Sequence, residues 1–228
     1  MMFTAKGRKY SINKFGVIEQ IDHRPFKYDP EYSAIYDKPE YKQGSDLLQA
    51  LRLGFALGVH GKPIRSLMDV GYGNAAFINS IKSHIPYTYG FDITGVPLDG
   101  AYVMPEFVKA DVYTFWDVLE HFPDCSFLRD LQTETICVSL PYCHYHTEGL
   151  SWFESWHHLK PDEHIRHFTP WSLTAFMKSY GWTAVAESDH ENIVRKGSGR
   201  SVETKCGIIQ LHSDNYLQNI LSMGFKRK

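Results

Sequence analysis

The chain has 228 residues, which suits one large domain with an elaborated end and burial of roughly 70% of the surface its unfolded form exposes. Apolar residues make up 43% and charged residues 22%, with a formal net charge of −2. That balance is ordinary for a globular protein and argues against a generally basic nucleic-acid binder, although a local basic patch is compatible with it. No apolar run approaches the ~20 residues of a membrane span, and no apolar core follows the charged N-terminus as in a secretory signal. Cys125, Cys137, Cys143 and Cys206 form no CxxC pair, so a cytoplasmic protein with reduced thiols is the expectation.

Residues 1–44 are polar, aromatic and rich in turn formers, and they read as an irregular N-terminal extension or cap. Tyr28, Tyr32 and Tyr36 recur every four residues there, as in a short helical face packed on the domain or a flap over a substrate site. The main domain is expected over 45–228. Ser45 is placed to cap a helix with Leu47, Leu48, Leu51 and Phe55 on one face, ending near Gly58 or Gly61. A buried-strand pattern follows at 64–70, then a glycine turn, a helix over about 74–84 and a strand at 88–93. Residues 94–107 carry Pro97, Gly100 and Pro105 and give no clear element. Further strands are predicted at 112–116 and 134–140.

After a loop of about thirty residues, Thr169-Pro170 opens a helix that Gly181 ends. Strands at 182–186 and 206–211 close the chain and should pair antiparallel, because too few residues join them for a crossover helix. Arg195, Lys196, Arg200 and Lys226-Arg227-Lys228 read as a solvated turn and tail, with recognition of a phosphate-bearing substrate as the alternative. The alternation of strands and helices predicts a doubly wound, mostly parallel α/β sheet.

The most informative segment is Asp69-Val-Gly71-Tyr72-Gly73-Asn74, where a strand becomes a helix. Gly71 permits a tight turn, and Gly73 permits close approach of the backbone to a ligand. Asp92 ends the next strand, 21 residues after Gly71, where a carboxylate can accept both ribose hydroxyls of an adenosine ligand. Dinucleotide binding would call for a third glycine, and here Ala75 and Ala76 stand instead. Asp69 ahead of the first glycine suits a cationic ligand head and opposes a pyrophosphate.

These segments, with Thr-Phe-Trp-Asp-Val-Leu-Glu-His at 114–121, Ile-Cys-Val-Ser-Leu-Pro at 136–141 and Glu-His-Ile-Arg-His-Phe-Thr-Pro-Trp-Ser-Leu at 163–173, look like successive motifs. Their order resembles class I S-adenosylmethionine-dependent methyltransferases, nearest the ubiquinone-biosynthesis-like branch. The resemblance implies a seven-stranded Rossmann-like sheet with an antiparallel last strand. It also implies that Asp69, Gly71 and Gly73 hold the methionine end, with Tyr72 and Asn74 in the same cofactor-binding turn, that Asp92 binds the ribose with Ile93 beside the adenine, and that Phe115, Trp116 and Asp117 run past the sulfonium.

Seven of the twelve histidines lie between His121 and His167. Asp117, Glu120 and His121 form a D-x-x-E-H run that would share one face of a helical turn, with His164 brought over the same rim by the fold. Oxygen-rich ligation with imidazole suits Mg²⁺ or Mn²⁺. The run is similar to the E-x-x-E-H of metal-assisted O-methyltransferases, including those acting on the terminal ribose of small RNAs, except that its first acid is Asp. The same residues also occur as shaping elements without an ion. His121, His164 and His167 are the candidate proton-handling residues. His144, His146, His157 and His158, with Trp152, Phe153 and Trp156, form a candidate substrate wall.

No Asp/Asn-Pro-Pro-aromatic signature follows the 112–116 strand, and no Pro-Cys dipeptide occurs, which argues against exocyclic-amine and cytosine-C5 DNA methylation. The reading is methyl transfer to an oxygen nucleophile, with small metabolites, sugars, ribose ends and protein side chains open as acceptors and nucleic acid not excluded. The rival readings are a methyltransferase-like binding subunit without chemistry and a nicotinamide-dependent oxidoreductase.

Overall fold

A computed structural model describes residues 1–29, 32, 45–93, 97–194, 201–204, 207–210 and 220–227. Its centre is a seven-stranded sheet. In spatial order the strands are β6 (Tyr102–Val103), β5 (Tyr87–Phe91), β4 (Ser66–Val70), β7 (Val112–Trp116), β8 (Thr135–Pro141), β13 (Ile220–Arg227) and β10 (Trp182–Ser188). β13 runs antiparallel to both neighbours, and every other pairing is parallel. This is the mostly parallel seven-stranded sheet with an antiparallel last strand that the resemblance implies. β7 and β8 are buried along their whole length, because helices and turns cover both faces of the sheet.

The antiparallel partner of β10 is not the segment expected to supply it. β11 (Ser201–Thr204) and β12 (Gly207–Gln210) form a separate two-stranded hairpin. The supposed basic tail is instead β13, inserted between β8 and β10. Leu221, Met223 and Phe225 alternate into one core cluster, while Gly224 makes room on the other face for Val59. Lys226 donates to the His60 carbonyl, and the Arg227 guanidinium lies over Trp182, 4.6 Å from the ring centre. Lys228 and 195–200 lie outside the described residues, as does Cys206; Cys125, Cys137 and Cys143 are buried free thiols.

Helix α1 (Ser45–His60) ends where Gly61 adopts φ +74° and donates to the Leu57 carbonyl. Its buried face is Gln49, Arg52, Ala56, Val59 and His60, whereas Leu47 is 54% exposed, so the face is rotated from the expected leucine stripe. The Ser45 side chain lies outside the described features. Helix α2 (Ala76–Ile81) is shorter than expected and buries Phe77, Ile78 and Ile81. Helix α4 (Pro170–Lys178) carries the predicted cap: Ser172 N–H donates to Thr169 Oγ1 at 3.0 Å, and Thr169 N–H donates to Ser172 Oγ at 2.8 Å. Such a cap contributes about 1 kcal/mol.

The first twenty residues are not irregular. β1 (Met2–Ala5), β2 (Arg8–Ile12) and β3 (Ile18–Gln20) form an antiparallel meander, extended by β9 (Arg166–His167). Turn chemistry at Lys6-Gly7 and Asn13–Gly16 makes this possible, and Asn13 Oδ1 accepts from the Phe15 and Val17 amides. The long loop before α4 holds another helix, α3 (Tyr145–Ser155), broken at Gly149. The meander packs on it through Phe3, Tyr10, Tyr145, Phe153 and Trp156.

Candidate functional site

Strand order reverses on either side of β4, so the crevice between β4 and β7 is the topological switch point of the sheet. The glycine loop emerges there from the carboxyl end of β4. Gly71 (φ +72°) donates to the Phe91 carbonyl at 2.7 Å, and a Cβ on it would lie 2.5 Å from Val118 Cγ2. Gly73 (φ +52°) faces open space, with nothing within 4 Å of where a Cβ would sit. Its N–H donates to Asp92 Oδ2 at 2.9 Å, tying the loop to the carboxyl end of β5. Ala75 takes the left-handed conformation (φ +62°), so the third-glycine position keeps the geometry although it carries a methyl group.

The other loop residues divide between core and rim. Tyr72 is buried against Ala75 and Ile78, and Asn74 Oδ1 accepts from the Ala76 amide at the start of α2. Ile93, next to Asp92, is 71% exposed. Asp69 is buried and accepts from Thr114 Oγ1 at 2.6 Å. Burial raises its carboxyl to about 7, against the opposing pull of the Thr114 hydroxyl and the Arg52 charge. Phe115 is fully buried in the main core, whereas Trp116 lies on the opposite face of the sheet, edge-on to Phe77.

β7 ends in a sharp change of direction. Asp117 has φ +58°, Val118 has φ −137°, and only Leu119–His121 form a turn of 3-10 helix. The expected helical face linking Asp117 to Glu120 and His121 therefore does not form. Asp117 Oδ2 instead accepts from Arg52 Nη2 at 3.0 Å. Three of the four proposed ligands do converge: one ligating atom each of Glu120, His121 and His164 lie within 4.8 Å of one another. The Ile165 amide donates to the Glu120 carbonyl at 3.1 Å, which carries His164 over the turn. The His121 and His164 ring centroids are 4.7 Å apart.

Burial lowers His121 to about 4 and His164 well below the usual histidine range, so both imidazoles are neutral at physiological pH. Neutral imidazoles are competent metal ligands but weak bases. His167 lies elsewhere, its ring packed among Tyr10, Phe153 and Trp156, where burial lowers it to about 3. Of the histidine wall, His144 stacks on Tyr142 with ring centroids 4.1 Å apart, and His146 Nε2 bonds the Gly16 carbonyl oxygen. His157 and His158 follow Trp156, with centroids 3.8 Å apart.

The N-terminal segment reaches this site. The Tyr28 hydroxyl and His121 Nδ1 share a hydrogen bond of 3.0 Å, and the Tyr32 hydroxyl donates to Glu163 Oε1 at 3.1 Å. Phe26, Tyr28 and Tyr32 pack edge-to-face on one another. Tyr36 lies outside the described residues. The meander is pinned beside the cluster: Arg8 and Gln20 donate to Asp162, and Arg166 donates to Glu19. Arg52 belongs to the site although no sequence motif marks it. The signal was a 49, 52, 56, 59 spacing that places a charged side chain on the buried face of α1.

The family of the description "Methyltransferase domain" matches residues 40–187, and the chain belongs to it. Solved structures share the fold at low identity. An S-adenosylmethionine-dependent methyltransferase from Clostridium acetobutylicum is 8% identical with a TM-score of 0.54, over 86% of this chain and 98% of its own. The YcgJ protein from Bacillus subtilis is 12% identical with a TM-score of 0.53, over 79% and 98%. The 1,6-didemethyltoxoflavin-N1-methyltransferase of Burkholderia thailandensis, solved with bound 1,6-didemethyltoxoflavin and S-adenosylhomocysteine, is 11% identical with a TM-score of 0.50, over 99% and 98%. No curated protein sequence matches the chain.

Proposed function

We propose that the protein transfers a methyl group from S-adenosylmethionine to an oxygen nucleophile. The observation that carries this reading is the left-handed loop at 71–75, tied by Gly73 N–H to Asp92 at the switch point. Open space over Gly73 and the nearby acids Asp69, Asp92 and Asp117 fit a ligand that is cationic at its ammonium and sulfonium. The cofactor supplies an electrophilic methyl group on that sulfonium. In this reading the 71–74 turn lines the methionine end, Asp92 accepts from the ribose hydroxyls, and Ile93 flanks the adenine. Phe115 contributes by packing under the strand end, while Trp116 and Asp117 border the cleft.

Glu120, His121 and His164 form the acceptor side in this reading. Their buried carboxylate and neutral imidazoles suit a divalent cation such as Mg²⁺ or Mn²⁺, which would bind the acceptor hydroxyl and lower its pKa. His167 then has a packing role. The N-terminal extension acts as a cap through Tyr28 and Tyr32, which close over the cluster and exclude water. The acceptor is a small molecule or a sugar, ribose included. The test is calorimetry with S-adenosylhomocysteine, followed by an acceptor screen with labelled cofactor. Absence of binding by the intact chain would favour a methyltransferase-like subunit without chemistry. Full turnover after chelation would remove the cation and leave the histidines as wall.

A further inference from the structure

Arg52 sits mid-helix in α1 and is only 8% exposed. Its Nε donates to Glu191 Oε1 at 3.0 Å and its Nη2 to Glu191 Oε2 at 3.1 Å, a two-pronged pair with a fully buried carboxylate. Nη2 also donates to Asp117 Oδ2 at 3.0 Å, and the guanidinium lies 5.0 Å from the centre of the Trp116 ring. One side chain thus joins α1, the His190–Ile193 turn after β10, and the end of β7.

Glu191 alone neutralises Arg52. The second carboxylate, Asp117, therefore gives the three-residue group a net negative charge rather than completing a neutral pair. Asp117 differs from Glu191 in two ways. Its side chain is 33% exposed, and its backbone is left-handed. It is also next in sequence to Val118, whose side chain fills the space at Gly71, so Asp117 is one residue from the glycine-loop contact. A third of an acid facing water, fixed by a buried cation next to that loop, is a charge held at a chosen place on the rim.

We propose that Arg52 is a positioning residue that fixes Asp117 at the rim of the glycine-loop cleft, so that the site favours the cationic sulfonium of S-adenosylmethionine over the neutral thioether of S-adenosylhomocysteine. This rests on the cofactor reading above. It would let the product leave after transfer, since the charge that Asp117 attracts is lost with the methyl group.

The test measures the dissociation constants of both ligands with the full chain, together with thermal midpoints. Arg52→Met alone strands Glu191, so the informative variant is Arg52→Met with Glu191→Leu; Asp117→Asn removes the charge while keeping the shape. With Asp117→Asn, the preference for S-adenosylmethionine over S-adenosylhomocysteine should fall on the order of 5–10-fold; with the double variant, which keeps the charge but not its anchor, it should fall about 2–3-fold, and in both the affinity for the thioether should change less than about threefold. Arg52→Lys, with Glu191 in place, keeps the charge without the fork and should retain part of the preference. An unchanged preference in a folded double variant overturns the proposal, as does an equal loss of both affinities, which marks a structural role. Failure of the native chain to bind either ligand instead overturns the cofactor reading.

Discussion

Around Gly71 and Asp92 the geometry is made by backbone: three left-handed residues within five positions, and an amide that reaches across to the next strand. Around Glu120, His121 and His164 it is made by side chains from segments more than forty residues apart, with Tyr28 added from the N-terminus. The first region is local and is carried by a single βα unit. The second exists only after the meander, the 156–168 segment and the strand-end turn have docked. A local loop can keep its shape while its neighbourhood changes, whereas a convergent cluster depends on every contact that assembles it. The two regions should therefore respond to mutation independently.

The largest effects should separate them. Glu120→Gln and His164→Ala should each lower methyl transfer to the acceptor by ~10²-fold or more, the scale of a lost proton-handling or ligating group, with affinity for S-adenosylhomocysteine within about threefold of native. Turnover with labelled cofactor and calorimetry give the two numbers. A parallel fall in both would join the regions into one. In the other direction, Asp92→Ala should weaken S-adenosylhomocysteine binding by on the order of 1–3 kcal/mol, as for a lost hydrogen bond to a charged group, and unchanged affinity would end the ribose assignment.

The same contrast explains what could be read from residue order. The loop, Asp92 and the strands at 112–116 and 135–141 were legible because each is encoded by neighbours in sequence: glycine where φ is positive, apolar runs where strands are buried on both faces. The capping box at Thr169 was legible for the same reason. β13 was missed because its terminal Lys226-Arg227 resembles a solvated tail, although Leu221, Met223 and Phe225 alternate as a strand does. The meander was missed because its strands are three to five residues long and find their apolar partners more than a hundred residues away, at Phe153 and Trp156. Sequence spacing groups Asp117 with Glu120 and His121 only if the segment is helical. One positive φ and a buried arginine on another element decide its direction, and neither is visible in spacing.

Within the loop, the two glycines should behave differently. Alanine at Gly71 meets both an unfavourable φ and the Val118 side chain, and should cost about 2–4 kcal/mol of stability. Alanine at Gly73 meets only the φ and should cost about 1 kcal/mol. Denaturant unfolding reads both. If Gly73 borders the ligand, Gly73→Ala should nonetheless weaken S-adenosylhomocysteine binding at least as much as Gly71→Ala does in the fraction that remains folded.

The smallest effect is a fraction of a proton, and it tests whether Asp69 feels the ligand. Its folded-state carboxyl lies near 7, raised by burial, whereas an unfolded aspartate titrates near 4. Between those values the native state holds a proton that the unfolded state has lost. Asp69 therefore contributes stability that is present below about pH 4 and declines as pH rises through 7. A cation bound nearby favours the ionised form and pulls the carboxyl down. Binding of S-adenosylmethionine near pH 7 should then release part of a proton, its affinity should rise with pH through that range, and the release should vanish by about pH 9. S-adenosylhomocysteine, which lacks the sulfonium charge, should release less. Calorimetry in two buffers of different ionisation enthalpy measures the proton count directly. Asp69→Asn should abolish the release, because the amide cannot titrate, while Thr114 can still donate to its carbonyl oxygen. Equal release from Asp69→Asn and native protein would assign the proton to another group and leave Asp69 as a buried support of β4.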